Sequence, residues 1–243
     1  DVTKREVYIV EGDSALGSCK LARDAAFQAI MPIRGKILNC LKADYPKIFK
    51  SDVIVDLIKV LGCGVEIKTS HNKNLDSFSL DNLRWDKVII CTDADVDGFQ
   101  IRTLLLTMIY RLMPTLIDVG KVYIAESPLY EIIITKGKRK GERFFAYTDG
   151  EKEEIIAKLN ADGLSKDKDD FDIKRSKGLG ENQADMMSLT TMHPATRRLI
   201  RVTPENAERT AMMFDVLLGD NLSDRKQYIA DNGSQYMEML DLS

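Results

Sequence analysis

Lys87-Val88-Ile89-Ile90-Cys91-Thr92-Asp93-Ala94-Asp95-Val96-Asp97-Gly98 is the stretch that decides the fold. Val88 to Cys91 is an apolar run without polar alternation. It reads as a strand buried on both faces, the habit of a central strand in a parallel sheet. The run ends abruptly on three aspartates that alternate with small or apolar residues. A long, mostly apolar helix is expected next, at about residues 99–113, stopped by Pro114.

Outward from this point, a second β-type run, Glu6-Val7-Tyr8-Ile9-Val10, ends on Glu11 and leads into a helix through Cys19 to Asp24. Ala29 to Ile33 is a further strand or extended stretch fixed by Pro32. Residues 49–61 have helical spacing, with Ser51 as N-cap and Gly62 as stop. Val119 to Ile134 reads as two strands around Glu126-Ser127-Pro128. Residues 136–150 read as a charged hairpin, Glu151 to Leu159 as a helix, and residues 162–170 as a charged linker. The remainder, from 171 to 243, is expected to be mostly helical. Strand–helix alternation over residues 6–125 predicts an α/β domain with a mainly parallel sheet, whose sites gather at the carboxyl ends of the strands. Glu11 and Asp93 both stand at such ends, so neighbouring strands would bring them to one spot.

Like charges as close as Asp93, Asp95 and Asp97 repel unless a cation or a shared proton relieves them. Carboxylates in a chain with only two histidines point to a hard, oxygen-preferring ion, Mg2+ or Mn2+. The bland alternative is a solvated acidic turn capping the next helix. A calcium hand fails because its twelfth position is Leu104 and a strand, not a helix, enters it. A haloacid-dehalogenase-like phosphatase expects Thr or Val where Asp97 stands. A toprim site, with one acid after one strand and D-x-D after another, fits Glu11, Asp93 and Asp95 directly.

The 243 residues carry a net charge of −3 and 44% hydrophobic residues, enough for a sizeable core and not the signature of a uniformly basic nucleic-acid coat. Two basic runs stand out, Lys136-Gly137-Lys138-Arg139-Lys140 and Lys174-Arg175-Ser176-Lys177, each of which reads as a solvated loop when taken alone. Cys19, Cys40, Cys63 and Cys91 have no CxxC spacing and read as buried thiols in a reducing compartment. No apolar run approaches the roughly 18 residues of a membrane span. Gly12-Asp13-Ser14-Ala15-Leu16 lacks the last glycine of a nucleophile elbow, and Gly35-Lys36 is not a phosphate loop. His71 and His193 are isolated. Trp85 reads as packing, and Met186-Met187 and Met212-Met213 as core or interface filler. The start at Asp1 rather than Met suggests a piece of a longer protein.

Four segments together resemble the B subunits of bacterial type IIA topoisomerases. They are Val10 to Ala15, Gln28 to Asn39, Thr92 to Leu105, and Lys177-Gly178-Leu179-Gly180-Glu181 followed by Arg201-Val202-Thr203 and Gly219-Asp220. The resemblance covers nearly the whole chain. It implies a toprim domain over residues 1–120, Rossmann-like with flanking helices, and a mixed α+β carboxyl-terminal segment over 121–243. It implies Glu11, Asp93 and Asp95 as catalytic residues and Mg2+ ligands, with Asp97 serving a second, looser ion. Arg34, Lys36, Asn39, Lys177 and Gln100 would lie against DNA, with Gly178 and Gly180 allowing close backbone approach. The partners implied are double-stranded DNA and an A-type subunit that supplies the nucleophilic tyrosine, in a heterotetramer of two of each. ATP would act only through a module upstream, and the location would be cytoplasmic, at the nucleoid, without membrane contact. Two residues depart from the family pattern: Leu16 where Gly is usual, and Gln100 where His is usual. Two other classes stand beside this one: a stand-alone D-x-D phosphohydrolase with Asp93 as nucleophile, and a non-catalytic DNA-binding scaffold in which Gln100 marks lost chemistry.

Overall fold

A computed structural model describes residues 1–68, 70–71, 75–176, 178–204 and 207–239. Strand β1 (Glu6–Glu11) runs parallel to β2 (Gln28–Ile33) on one side and to β3 (Lys87–Cys91) on the other. Parallel β4 (Val122–Ala125) and antiparallel β8 (Leu199–Arg201) extend the sheet to five strands, in the order β2-β1-β3-β4-β8. The expected α/β architecture with a mainly parallel sheet is therefore present. The sheet runs past residue 120, taking both β4 and β8 from beyond it.

Side chains alternate across this sheet and build two cores. Val7, Ile9, Val88 and Ile90 face α3 (Asp52–Leu61), α4 (Val96–Leu112) and α5 (Thr115–Asp118). Tyr8, Val10, Ile89 and Cys91 face α1 (Gly12–Ala22) and Leu179, Met187 and Met192 from the far end of the chain. A one-turn helix, α2 (Tyr45–Ile48), precedes α3. Ser51 and Gly62 flank α3 at the expected places, Gly62 in the left-handed conformation. Trp85 packs as expected, its indole N–H donating to the Val60 carbonyl at 2.8 Å. All four cysteines are free and buried.

The two strands expected between residues 119 and 134 exist but belong to different sheets. β5 (Tyr130–Ile134) pairs antiparallel with β6 (Arg143–Ala146) and β7 (Phe171–Arg175) in a second, three-stranded sheet. Helix α6 (Asp149–Ala161) covers one face through Leu159, packing on Ile132, Ile134 and Phe171. Residues 136–150 are thus not a hairpin in themselves. The basic run is the tip of the β5–β6 hairpin, and Thr148 already caps α6 by accepting the N–H of Glu151 at 3.1 Å. The expected linker at 162–170 holds a 3-10 turn at Lys166–Lys168 and leads straight into β7. The segment after Lys177 is mostly helical, as expected, with one exception: α7 (Ala184–Met187) continues as a π turn (Ser188–Met192), and the short strand β8 then returns to the first sheet. Helices α8 (Ala207–Leu218) and α9 (Leu222–Asn232) follow. Met186 and Met187 are buried, whereas Met212 is exposed.

One buried polar cluster ties the returning segment to the first strand. Arg197 meets Glu6 with both guanidinium nitrogens, at 2.5 and 2.6 Å, and both side chains are about 95% buried (5% and 4% exposed). Gln28 donates to the same carboxylate at 3.0 Å, and the Tyr8 hydroxyl donates to the Thr191 carbonyl at 2.9 Å. A buried, forked ion pair of this kind adds little over an apolar pair, but removing one partner strands the other charge. Arg197→Met is therefore expected to lower stability by about 3–5 kcal/mol, measured by urea unfolding. A loss no larger than that of an exposed arginine such as Arg209 would remove Arg197 from this role.

Candidate metal centre

Strands that run in the same direction end at the same edge. Val10 lies opposite Cys91, so the chain leaves the sheet at Glu11 and at Thr92-Asp93 side by side. The Asp93 N–H points at the Glu11 carboxylate at 3.4 Å. Asp95 opens α4, its Oδ1 accepting the N–H of Gly98 at 2.7 Å. The reading of this turn as a helix cap therefore holds for one oxygen of Asp95. Asp95 and Asp97 also start α4 three residues earlier than the apolar pattern alone would place it. The turn is tight enough to demand glycine, since a Cβ on Gly98 would stand 2.1 Å from the Asp93 carbonyl oxygen.

The carboxyl-terminal segment closes the other side. Leu179 donates its N–H to Asp93 Oδ1 at 2.8 Å. Gly178 lies so close that a Cβ there would be 3.2 Å from Asp93 Oδ2. Close approach at the two glycines is thus made to the acids and to α1, where a Cβ on Gly180 would meet Ser14 at 2.6 Å. Asp93, Ser127, Pro128, Ser176, Gly178 and Leu179 line a crevice of about 20 Å³, room for one water-sized occupant.

Burial first, then the charge of Asp93, pushes the Glu11 carboxyl above its ordinary value. Asp93 is raised in the same way, by burial and by Asp95 and Glu181, against the lowering pull of the Leu179 N–H. These are the signs of carboxylates crowded without a counter-charge. Among the described residues no three acidic, histidine or cysteine side chains already converge as a finished coordination set. The donors nonetheless suit a hard cation: all are carboxylate oxygens, and the Ser127 hydroxyl in the same crevice is buried without a hydrogen-bond partner. A divalent ion would relieve the repulsion that raises both acids.

The cationic residues expected against DNA sit at this rim. Arg34 forks onto Asp13 at 3.0 and 3.2 Å, and Lys36 meets Asp97 at 2.7 Å. Ion pairs to neighbouring acids are therefore the resting geometry of these two residues. Exposed pairs like these contribute only about 0–1 kcal/mol, so exchanging a carboxylate for a phosphate costs little. Asn39 is occupied structurally. It accepts the Leu41 N–H at 3.0 Å and donates to the Leu218 carbonyl at 3.1 Å, linking this loop to the end of α8. Gln100 is exposed at the start of the second turn of α4. Lys177 lies outside the described residues. Sequence reasoning missed the Leu179 N–H and Glu181. The only signal for them was the glycine spacing of the K-G-L-G-E segment.

The toprim domain family model matches residues 6–127, and the model for the carboxyl terminus of the DNA gyrase B subunit matches residues 168–230. The chain is 43% identical over 236 residues to the DNA gyrase B protein of Thermotoga maritima, covering 97% of this chain and 34% of that relative. It is 44% identical over 229 residues to the DNA topoisomerase 4 B protein of Streptococcus pneumoniae, covering 94% and 33%. It is 43% identical over 242 residues to the DNA gyrase B protein of Halalkalibacterium halodurans, covering 100% and 35%. The chain thus spans about a third of the length of the curated relatives it matches.

Two outcomes follow from this geometry. Mg2+ at about a hundred times its dissociation constant is expected to stabilise the chain by about 2.7 kcal/mol, a gain absent from Glu11→Gln in the same thermal melts. Gly98→Ala is expected to cost about 1–3 kcal/mol through overpacking against Asp93 and to weaken that Mg2+ response. An unchanged response would separate the turn from the metal centre.

Proposed function

Because the chain belongs to the toprim family, among the B subunits of type IIA topoisomerases, we propose that it forms the Mg2+-dependent half of a double-strand DNA cleavage and religation site. The observation that carries this reading is the delivery of Glu11 and Asp93 to one sheet edge by parallel strands, with Asp95 and Asp97 on the turn beside them. The partner is an A-type subunit whose tyrosine attacks the DNA phosphodiester. The assembly contains two copies of each chain, and ATP acts through a module outside these residues. The proposed place of work is the cytoplasm, at the nucleoid; separately, no helix among the described residues is long and apolar enough to cross a membrane.

Glu11, Asp93 and Asp95 would hold the Mg2+ ion, for which Mn2+ is a chemical substitute, and Asp97 would serve a second, looser one. When bound, the ion supplies positive charge against the phosphoryl oxygens and the leaving 3′-oxygen, where negative charge develops. Glu11, or water beside it, would help proton transfer at that oxygen. Arg34 and Lys36 give up Asp13 and Asp97 for backbone phosphates and set the register of the duplex. Asn39 keeps their loop against α8, Lys177 contributes a further phosphate contact, and Gln100 faces the duplex from α4. The Leu179 N–H orients the Asp93 carboxylate, fixing which oxygen is presented.

The test is plasmid cleavage with Mg2+, mixing the chain with a cognate A-type subunit and trapping products with detergent and protease. Protein-linked linear DNA that requires both chains is expected. Asp93→Ala and Glu11→Gln should each reduce it at least about a hundredfold, as removal of a charge-stabilising group does, while each variant still folds in metal-free buffer, as read by circular dichroism. Wild-type cleavage by Asp93→Ala would sink the assignment. If metal binding and assembly persist without cleavage, the chain is a scaffold, and Gln100→His is the reversion to make. Turnover of a small phosphate ester without the partner would favour a phosphohydrolase.

A further inference from the structure

We propose that the basic tip of the β5–β6 hairpin is a second contact for duplex DNA, gripping the phosphate backbone of the segment that flanks the metal centre. The inference rests on the reading of the chain as part of a DNA-cleavage site. Lys136, Lys138 and Lys140 stand exposed on the turn that joins Ile134 to Arg143. The fourth cation of the run is already engaged: Arg139 meets Glu142 at 2.8 Å and Asp162 at 2.9 Å. Lys136 donates to the Lys168 carbonyl at 2.6 Å, which holds its ammonium in place without neutralising it. Among the described residues no ion pair engages Lys138 or Lys140. Glu142 and Asp162 are taken by Arg139, Asp170 accepts the Ser165 N–H at 3.0 Å, and among the described residues no ion pair neutralises the three lysines.

A charged turn is usually just solvated, and two features set this one apart. The tip is ordered by its own backbone. Gly141 donates to the Ile134 carbonyl at 2.8 Å, and Thr135 to the Asp170 carbonyl at 2.9 Å, so the turn is braced by the neighbouring 3-10 turn. Lysines on a braced turn lose less freedom on binding than lysines on a loose one. The hairpin is also rooted at the metal centre. β5 starts just past Ser127 and Pro128, and β7 returns to Ser176, and all three residues line the crevice beside Asp93. From that root the strand runs outward at about 3.4 Å per residue, which puts the tip roughly 20 Å from the crevice. A duplex advances about 3.4 Å per base pair, so the tip reaches backbone about six base pairs from the scissile phosphate. Lysines are compact charges on flexible stems, without the fork that reads base edges. The contact is therefore to phosphate and independent of sequence.

The experiment compares the 243-residue chain with its Lys136→Gln/Lys138→Gln/Lys140→Gln variant, by fluorescence anisotropy on duplexes of about 34 and about 10 base pairs, at 50 to 200 mM salt. Equal melting temperatures establish that the substitutions leave the fold alone. On the longer duplex the variant is expected to bind more weakly, with a plot of log affinity against log salt shallower by about two to three, one counterion for each lost phosphate contact. On the shorter duplex, which spans both the metal centre and the tip in only a few registers, the difference between the two proteins should be smaller. Equal affinity and slope on the longer duplex would overturn the proposal. If binding then still falls with Arg34→Gln and Lys36→Gln, the reading of the metal centre stands without it. Unchanged DNA binding with lost affinity for the A-type subunit would reassign the tip to an acidic protein surface, and would overturn the proposal equally.

Discussion

Parallel pairing of β1 with β3 is the constraint on which the site depends. Antiparallel neighbours would send Glu11 and Asp93 to opposite edges of the sheet. Parallel ones deliver both to a single edge, and burial of the strands on both faces holds the register. A one-residue slip of β3 would exchange the inward sets Val88/Ile90 and Ile89/Cys91 between two differently shaped cores, so packing far from the acids keeps the acids aligned.

The acids in turn explain the chemistry around them. Glu11 and Asp93 carry raised carboxyls because partial burial and mutual repulsion act together. The chain partly offsets this with oriented dipoles, the Leu179 N–H on Asp93 and the Gly98 N–H on Asp95. Dipoles rather than buried cations do this work. The full positive charges, Arg34 and Lys36, stay at the exposed rim, where they can trade one anion for another. A lysine buried between the carboxylates would neutralise them and leave no affinity for a metal ion.

The parts legible in the sequence were those with strong local patterns. Val88 to Cys91 and Val7 to Val10 could hardly be anything other than inner strands, and the acids at their ends followed. β7 was not legible, because Phe171-Asp172-Ile173-Lys174-Arg175 mixes charges into a strand that is covered on one face only. β8 was missed for a different reason: three residues carry almost no pattern, and their pairing with β4 is settled by a chain return of about seventy-five residues. Glu181 and the Leu179 N–H escaped because proximity to Asp93 depends on tertiary packing and not on spacing. The cations at the rim stood out as residues, but their resting partners, Asp13 and Asp97, depend on side-chain geometry that no periodicity encodes.

The sheet face that carries Tyr8, Val10, Ile89 and Cys91 is closed by Leu179, Met187 and Met192. This gives the molecule an order of assembly. The opposite core is built from residues of the first half and can collapse as the chain emerges. The face beside the acids must wait for a loop of about 170 residues to close, an event penalised by chain entropy and slow in folding. The carboxylates are therefore gathered early, while the N–H that orients Asp93 arrives last. A nascent or truncated chain would hold the acids without their final orientation, which Asp93 gains only when the carboxyl-terminal segment has docked.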